Sequence, residues 1–406
     1  MSSKESEDPG DSADQRERSA GGHLPRTTRS WWHWAKRARY FEPDSVARPQ
    51  RGEVHERDEH LRPDSEVEPL TRAVSLSKSL MRLASRRAVK RIDVHAHFLP
   101  DDYRAALAAV NPSLARLPDC STDALLEMMN RFQIDAAVLS LSPPGVFHGD
   151  TSHARELARS MNEHAAELRR GYPKHFAALG VLPLPDVEAS VSEIGHCLNH
   201  LKLDGFELFS HVAGVYLGDH AWDPVLDELN AHRAYVFVHP VFPPYPPPLL
   251  SYPAWLFEFP FESTRAIVNL IYGGAFERFQ NIRWHFPHLS GAAVFLAHRI
   301  GSLAIRNAEQ AGSAPAGALA YLRRLFLDTA QADNNIALGA VLELTPVDRV
   351  IFGTDWPYAA LPTEGRDPAP GLSYLDRELR AGIDGVNASA LVPWLLELID
   401  GDTLED

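Results

Sequence analysis

The chain has 406 residues, of which 45% are apolar and 23% charged, ordinary globular values that exclude a collagen-like or wholly disordered polypeptide. The formal net charge is -14, and it is uneven: residues 1–90 hold 18 Lys and Arg against 15 Asp and Glu, the remainder 22 against 39. An acidic body argues against nucleic acid as a partner, and the absence of a run of about 18 apolar residues argues against a bilayer-spanning helix.

Residues 1–88 are rich in Ser, Pro, Arg and acidic residues without apolar periodicity, and read as a mostly disordered extension. Two short helices are candidates within it. One is the aromatic and basic patch from Trp31 to Tyr40; the other is a lead-in from Leu70 to Ala88, with Val74, Leu76, Leu80 and Leu83 at helical spacing. No apolar core follows the charged N-terminus as in a secretory signal, and Cys120 and Cys197 lack any metal-like spacing and read as free thiols. These features predict a soluble, cytoplasmic protein.

From residue 89 to about 400 strand-like and helix-like segments alternate with short connections, the rhythm of a parallel sheet. Strands are expected at 91–97, 134–141, 176–184, 205–210, 234–240, 281–288, 325–330 and 349–357. Helices are expected at 121–131, 152–171, 187–201, 222–231, 261–273 running on to 279, 291–310 and 334–343. Eight such units predict an α/β fold, a (β/α)8 TIM barrel. A dinucleotide-binding open sheet is disfavoured, because no Gly-x-Gly-x-x-Gly follows the first strand. The proline stretch from Phe242 to Pro248 interrupts regular structure after the fifth strand and suits a lid wall or a subunit contact.

The first strand, Ile92-Asp93-Val94-His95-Ala96-His97-Phe98, places His95 and His97 on one face by its period of two. Other apolar strands end in a lone polar group: His239 after the fifth, His288 after the sixth and Asp355 after the eighth. Barrel chemistry sits at the C-terminal ends of the strands, so these residues share one rim. Neutral imidazoles and one carboxylate with open positions suit a divalent ion, zinc first and manganese second. His95, His97, His239 and Asp355 are assigned as ligands and His288 as the acid/base. Asp328, ending strand seven, is placed to orient a ligand histidine. His211, just past strand four, is placed to reach substrate. Lys174 and Lys202 are the only lysines beyond residue 90, and neither ends a strand, which favours one metal per chain over a lysine-bridged pair.

Several segments together resemble the amidohydrolase superfamily and, within it, the metal-dependent decarboxylases of the aminocarboxymuconate semialdehyde and 6-methylsalicylate type. They are Asp93 to Pro100, Val138 to Pro143, Tyr216 to Asp219, Val236 to Pro240, Glu258 to Ala266 and Phe352 to Tyr358. The resemblance implies a single metal on His95, His97, His239 and Asp355, with His288 as catalytic histidine. It also implies a homodimer in which Arg299 reaches the neighbouring site to hold a carboxylate. One departure stands out. The family writes His-x-Gly-Gly-x-x-Pro-Phe-Leu after the sixth strand, where this chain has His288-Leu289-Ser290-Gly291-Ala292-Ala293-Val294-Phe295-Leu296.

The expected activity is non-oxidative decarboxylation of a small aromatic, salicylate-type, or enol-like carboxylic acid, with His288 and Asp355 handling the proton. Trp255, Phe257, Trp356 and Tyr358 are candidates to wall the ring. A metal-dependent hydrolase of a lactone or amide requires the same ligands and is the alternative.

Overall fold

The computed structural model describes residues 90–110, 118, 120–245, 253–395 and 397. The extension 1–88, with its two candidate helices, and the second half of the proline stretch lie outside the described residues. Eight parallel strands form the sheet: β1 (Ile92–Phe98), β2 (Ala136–Leu141), β3 (Phe176–Val181), β4 (Gly205–Phe209), β5 (Tyr235–His239), β6 (Arg283–Phe286), β7 (Phe326–Asp328) and β8 (Val350–Ile351). They neighbour one another in chain order. The first and last are joined by Val94 N to Phe352 O at 3.0 Å, Asp355 N to His95 O at 2.8 Å and His97 N to Trp356 O at 2.9 Å. The result is the expected (β/α)8 barrel.

The strands are buried nearly throughout because helices cover one side and the barrel interior the other; every residue of β1 is buried, Asp93, His95 and His97 included. Polar helix caps set where several helices begin. Ser121, Asp150, Asp186 and Asn334 accept from backbone N–H groups at the starts of α1 (Thr122–Phe132), α2 (Thr151–Gly171), α3 (Val187–His196) and a later helix, Asn335–Leu342. The lower interior is filled by Ile92, Val94, Val138, Leu179, Tyr235, Phe237 and Ile351, and closed by Leu391, Val392 and Leu395.

The register of β1 shifts against β2 between Asp93 and Ala96. This bulge lets two consecutive residues face inward: Val94 packs with the interior group, and the His95 ring lies 4.9 Å from that of Phe237. Below the bulge Asp93 ties β1 to the end of β8. Its carboxylate accepts from His95 N at 3.0 Å, Thr354 N at 3.0 Å and Thr354 Oγ1 at 2.5 Å. Asp93→Ala would leave the buried His95 and Thr354 N–H groups without this acceptor, at about 1–3 kcal/mol each, and would leave the Thr354 hydroxyl only its longer bond to His95 O. Urea unfolding should therefore show a loss of several kcal/mol, and full stability in the variant would remove Asp93 from barrel closure.

Two expectations need correction. The helix predicted at 291–310 is three short pieces, Ala297–Gly301, Leu303–Arg306 and Ala308–Ala311. Gly301, Ser302 and Asn307 punctuate it, Asn307 being extended at φ -150° and capping the next turn through its side chain. The helix predicted to begin at 261 begins earlier, as Trp255–Tyr272, and runs through Pro260, whose carbonyl accepts from Thr264 Oγ1 at 2.8 Å. A helix at Asp101–Val110 and the hairpin His211–Val212/Val215–Tyr216 were not expected.

Candidate metal and catalytic site

The ends of β1, β5 and β8 bring His95, His97, His239 and Asp355 together, all buried, with one ligand atom from each lying within 4.8 Å of the others. The second ring nitrogens explain how they are aimed. His95 Nδ1 donates to Asp328 Oδ2 at 2.9 Å, His97 Nδ1 meets Ser140 Oγ at 3.2 Å, and His239 Nδ1 donates to Pro240 O at 2.8 Å. Each bond turns Nε2 toward the centre. Asp355 Oδ1 lies 3.3 Å from His95 Nε2 and 3.2 Å from His97 Nε2. The Nε2 atoms of His95 and His239 are buried without a hydrogen-bond partner. Buried polar atoms are normally satisfied, so ring nitrogens without partners that converge on a carboxylate fit a divalent cation. Three imidazoles and one carboxylate can hold one such ion.

Asp328 serves four partners, Ala330 N at 3.0 Å among them. Besides His95 it accepts from His285 Nε2 at 2.9 Å, and its other oxygen accepts from the His288 backbone N at 2.9 Å. His285 Nδ1 in turn accepts from Tyr235 OH at 2.9 Å. Gly353 leaves room for this arrangement, since a Cβ there would stand 2.8 Å from His95 Cβ and 3.2 Å from Asp328 Cβ.

His288 does not end a strand as expected. β6 stops at Phe286, and His288, Leu289 and Ser290 are left-handed, with φ of 55°, 46° and 68°, before Gly291 at 63°. The Asp328 bond to His288 N supports this turn, and at Gly291 a Cβ would lie 2.0 Å from Pro260 O. The turn sets His288 Nε2 3.4 Å from Asp355 Oδ2 and leaves its Nδ1 buried without a partner. Gln331 also donates to Asp355 Oδ2.

Charge is strongly coupled here. Burial pulls the His95 pKa down, but the Asp328 and Asp355 carboxylates outweigh it and push it up to about 10. Burial lowers His97, and lowers His239 much further, helped by its neighbouring imidazoles. Asp355 is raised by burial but held well below the carboxylate range by His95 and the bonds from His288 and His97. β4 carries Glu207. Both its oxygens are buried without partners, and burial drives its carboxyl well above the usual range.

The remaining expected residues lie around this centre or apart from it. His211 is buried, with Nε2 donating to Phe242 O at 2.9 Å and Nδ1 accepting from Gly214 N at 3.3 Å. Trp356 is buried, bridged to Ala96. The Tyr358 ring lies 5.5 Å from that of His97, and its hydroxyl meets Ser142 Oγ. Trp255 is half-exposed, Phe257 stacks edge-on to Phe261 at 6.3 Å, and Arg299 is exposed on a short helix. His285, Gln331, Ser140 and Tyr235 were not anticipated. His285 and Ser140 could have been noticed as polar residues inside apolar strands; Gln331 carries no such mark.

A closed barrel that gathers three imidazoles and a carboxylate at its C-terminal rim is of the class of barrel enzymes built around a rim metal centre. Residues 92–394 match the Amidohydrolase family model, and the chain belongs to that family. It is 29% identical over 318 residues to 6-methylsalicylic acid decarboxylase of Penicillium expansum, covering 76% of this chain and 98% of that one. It is 31% identical over 245 residues to 2-amino-3-carboxymuconate-6-semialdehyde decarboxylase of Dictyostelium discoideum, covering 58% and 66%. The fold is shared with a dihydroxybenzoic acid decarboxylase from a Polaromonas species, solved with bound manganese and 2-nitroresorcinol. That likeness has a TM-score of 0.64 at 22% identity over 76% of this chain and 98% of that one. No helix among the described residues is long and apolar enough to cross a membrane.

Proposed function

We propose that this protein is a metal-dependent carboxy-lyase that removes carbon dioxide, without oxidation, from a small aromatic acid of salicylate type. The observation that carries the reading is the meeting of His288 with Asp355 beside the four-residue cluster, where Asp355 Oδ1 faces the ligand histidines and Oδ2 faces His288. The 6-methylsalicylic acid decarboxylase relative, covered over nearly its whole length, supports the substrate class.

His95, His97, His239 and Asp355 would hold one divalent ion, zinc or manganese. When bound, it supplies a Lewis acid that orients the substrate carboxylate and adjacent phenolic oxygen and lowers the pKa of that oxygen. His288 then delivers a proton to the ring carbon bearing the carboxylate. The carbon–carboxylate bond breaks, its electron pair returns to the ring, and carbon dioxide leaves. Asp355 keeps His288 aimed and shares the proton's charge, while Asp328 holds both His95 and the His288 turn. Trp356 and Tyr358 line the ring's approach, and His211 fixes the neighbouring hairpin against the loop at Phe242.

We propose in addition a homodimer in which Arg299 binds substrate carboxylate in the neighbouring subunit. Phe295 and Ile305, 85% and 90% exposed on either side of Arg299, support self-association through this segment. The experiment for the activity is carbon dioxide release, with product identification, from metal-loaded protein across a panel of hydroxybenzoates. No release from protein holding one metal per chain would sink the salicylate reading and turn attention to lactone or amide hydrolysis.

A further inference from the structure

Four successive barrel strands each enter with an arginine: Arg233 before β5, Arg283 opening β6, Arg324 before β7 and Arg349 before β8. All four line one cavity of about 260 Å³ at the N-terminal end of the barrel, opposite the metal cluster. Phe276, Tyr321 and Trp284 also line it, and no carboxylate does. Among the described residues none of the four arginines forms an ion pair. Arg283 is spent on backbone carbonyls, donating to Arg233 O at 3.2 Å, Ala390 O at 3.0 Å and Leu391 O at 2.6 Å. Arg349 lies over Phe326 at 4.4 Å, and Arg324 donates to Gln280 O at 3.2 Å. Trp284 is only 5% exposed, and its ring N–H is buried without an acceptor.

Arg233 and Arg324 are exposed at this cavity and Arg283 and Arg349 partly buried; gathered in one cavity without a carboxylate their like charges repel, and the buried Trp284 N–H lacks a hydrogen bond. Burial and the Arg233 charge depress the Arg283 pKa, in keeping with that repulsion. A compact dianion relieves both terms. The planar fork of arginine matches the oxygens of phosphate, and the cavity is large enough for that group with a small substituent against its aromatic wall.

We infer that the arginine-lined cavity at the N-terminal end of the barrel is a binding site for a phosphate-type dianion, either free or as the phosphate group of a small metabolite. The site is separate from the rim and does not rest on the decarboxylase reading.

Equilibrium dialysis of metal-loaded protein at constant ionic strength tests it, with labelled inorganic phosphate in one arm and phenyl phosphate in the other. The expected result is saturable binding of about one equivalent per chain, unaffected by excess salicylate, which competes only at the rim. Tighter binding of phenyl phosphate would assign the metabolite source, and equal binding the free ion. The double variant Arg233→Gln/Arg324→Gln leaves the carbonyl bonds of Arg283 in place. It should keep its metal content and melting temperature while binding weakens roughly ten-fold or more. Absence of saturable binding, unchanged binding in the double variant, or displacement by salicylate would each overturn the assignment.

Discussion

Replacing His288 is expected to reduce carbon dioxide release about 10²–10⁴-fold, the usual worth of a positioned proton donor, while metal content stays at the parent level. The separation of these two readouts follows from geometry. His288 is not among the four residues of the cluster, but its Nε2 reaches the second oxygen of Asp355, Oδ2, at 3.4 Å. The choice of variant matters because His288 stands at φ 55°. Asparagine tolerates the left-handed region far better than alanine, so His288→Asn removes the proton carrier with less disturbance of the turn. If His288→Asn and His288→Ala both retained parental carbon dioxide release, the proton would have to come from elsewhere. If metal were lost along with activity, His288 would belong to the ligand set and its separate role would fall.

Metal uptake is expected to expel a proton and to strengthen as pH rises. In the metal-free protein the carboxylates of Asp328 and Asp355 hold the proton of His95 up to about pH 10, whereas a ligating imidazole must be neutral. The folded pKa is thus raised above the unfolded value of about 6.5. Proton binding to His95 therefore stabilises the metal-free fold fully below about 6.5, and that stability fades as pH climbs toward 10. Metal competes with the same proton, so its apparent affinity should rise about ten-fold per pH unit across this window. Titration calorimetry in buffers of different ionisation enthalpy would count the proton released. Asp328→Asn should cost roughly 10–100-fold in metal affinity, since it loosens His95 and the His288 turn together, and it should flatten the pH slope by weakening the hold on the proton. A pH-independent affinity in the parent protein would contradict the coupling of His95 to these carboxylates.

Much of the candidate site was legible from short-range pattern alone. His95 and His97 share a face because a strand repeats every two residues, and His239 and Asp355 were visible because each follows an apolar strand at the end where barrels do their chemistry. The eight strands were recoverable for the same reason: a run buried on both faces is apolar throughout and bounded by polar turns. The bulge in β1 preserved this reading, because it lies between Asp93 and Ala96 and leaves His95 and His97 both facing the centre.

Only the closed barrel decided the rest. Asp328 meets His95 across 233 residues of sequence and His285 across 43, and Gln331 reaches Asp355 from a loop without any repeat to mark it. The left-handed turn at His288 is sustained by the Asp328 carboxylate and by the close approach of Gly291 to Pro260, neither of which its own residues specify. The four arginines lie scattered between 233 and 349, and they share one cavity because neighbouring parallel strands begin side by side. Local sequence sets which way a side chain faces on its own strand. Which strands stand next to each other, and so which charges and hydrogen-bonding atoms meet, is set by closure of the barrel.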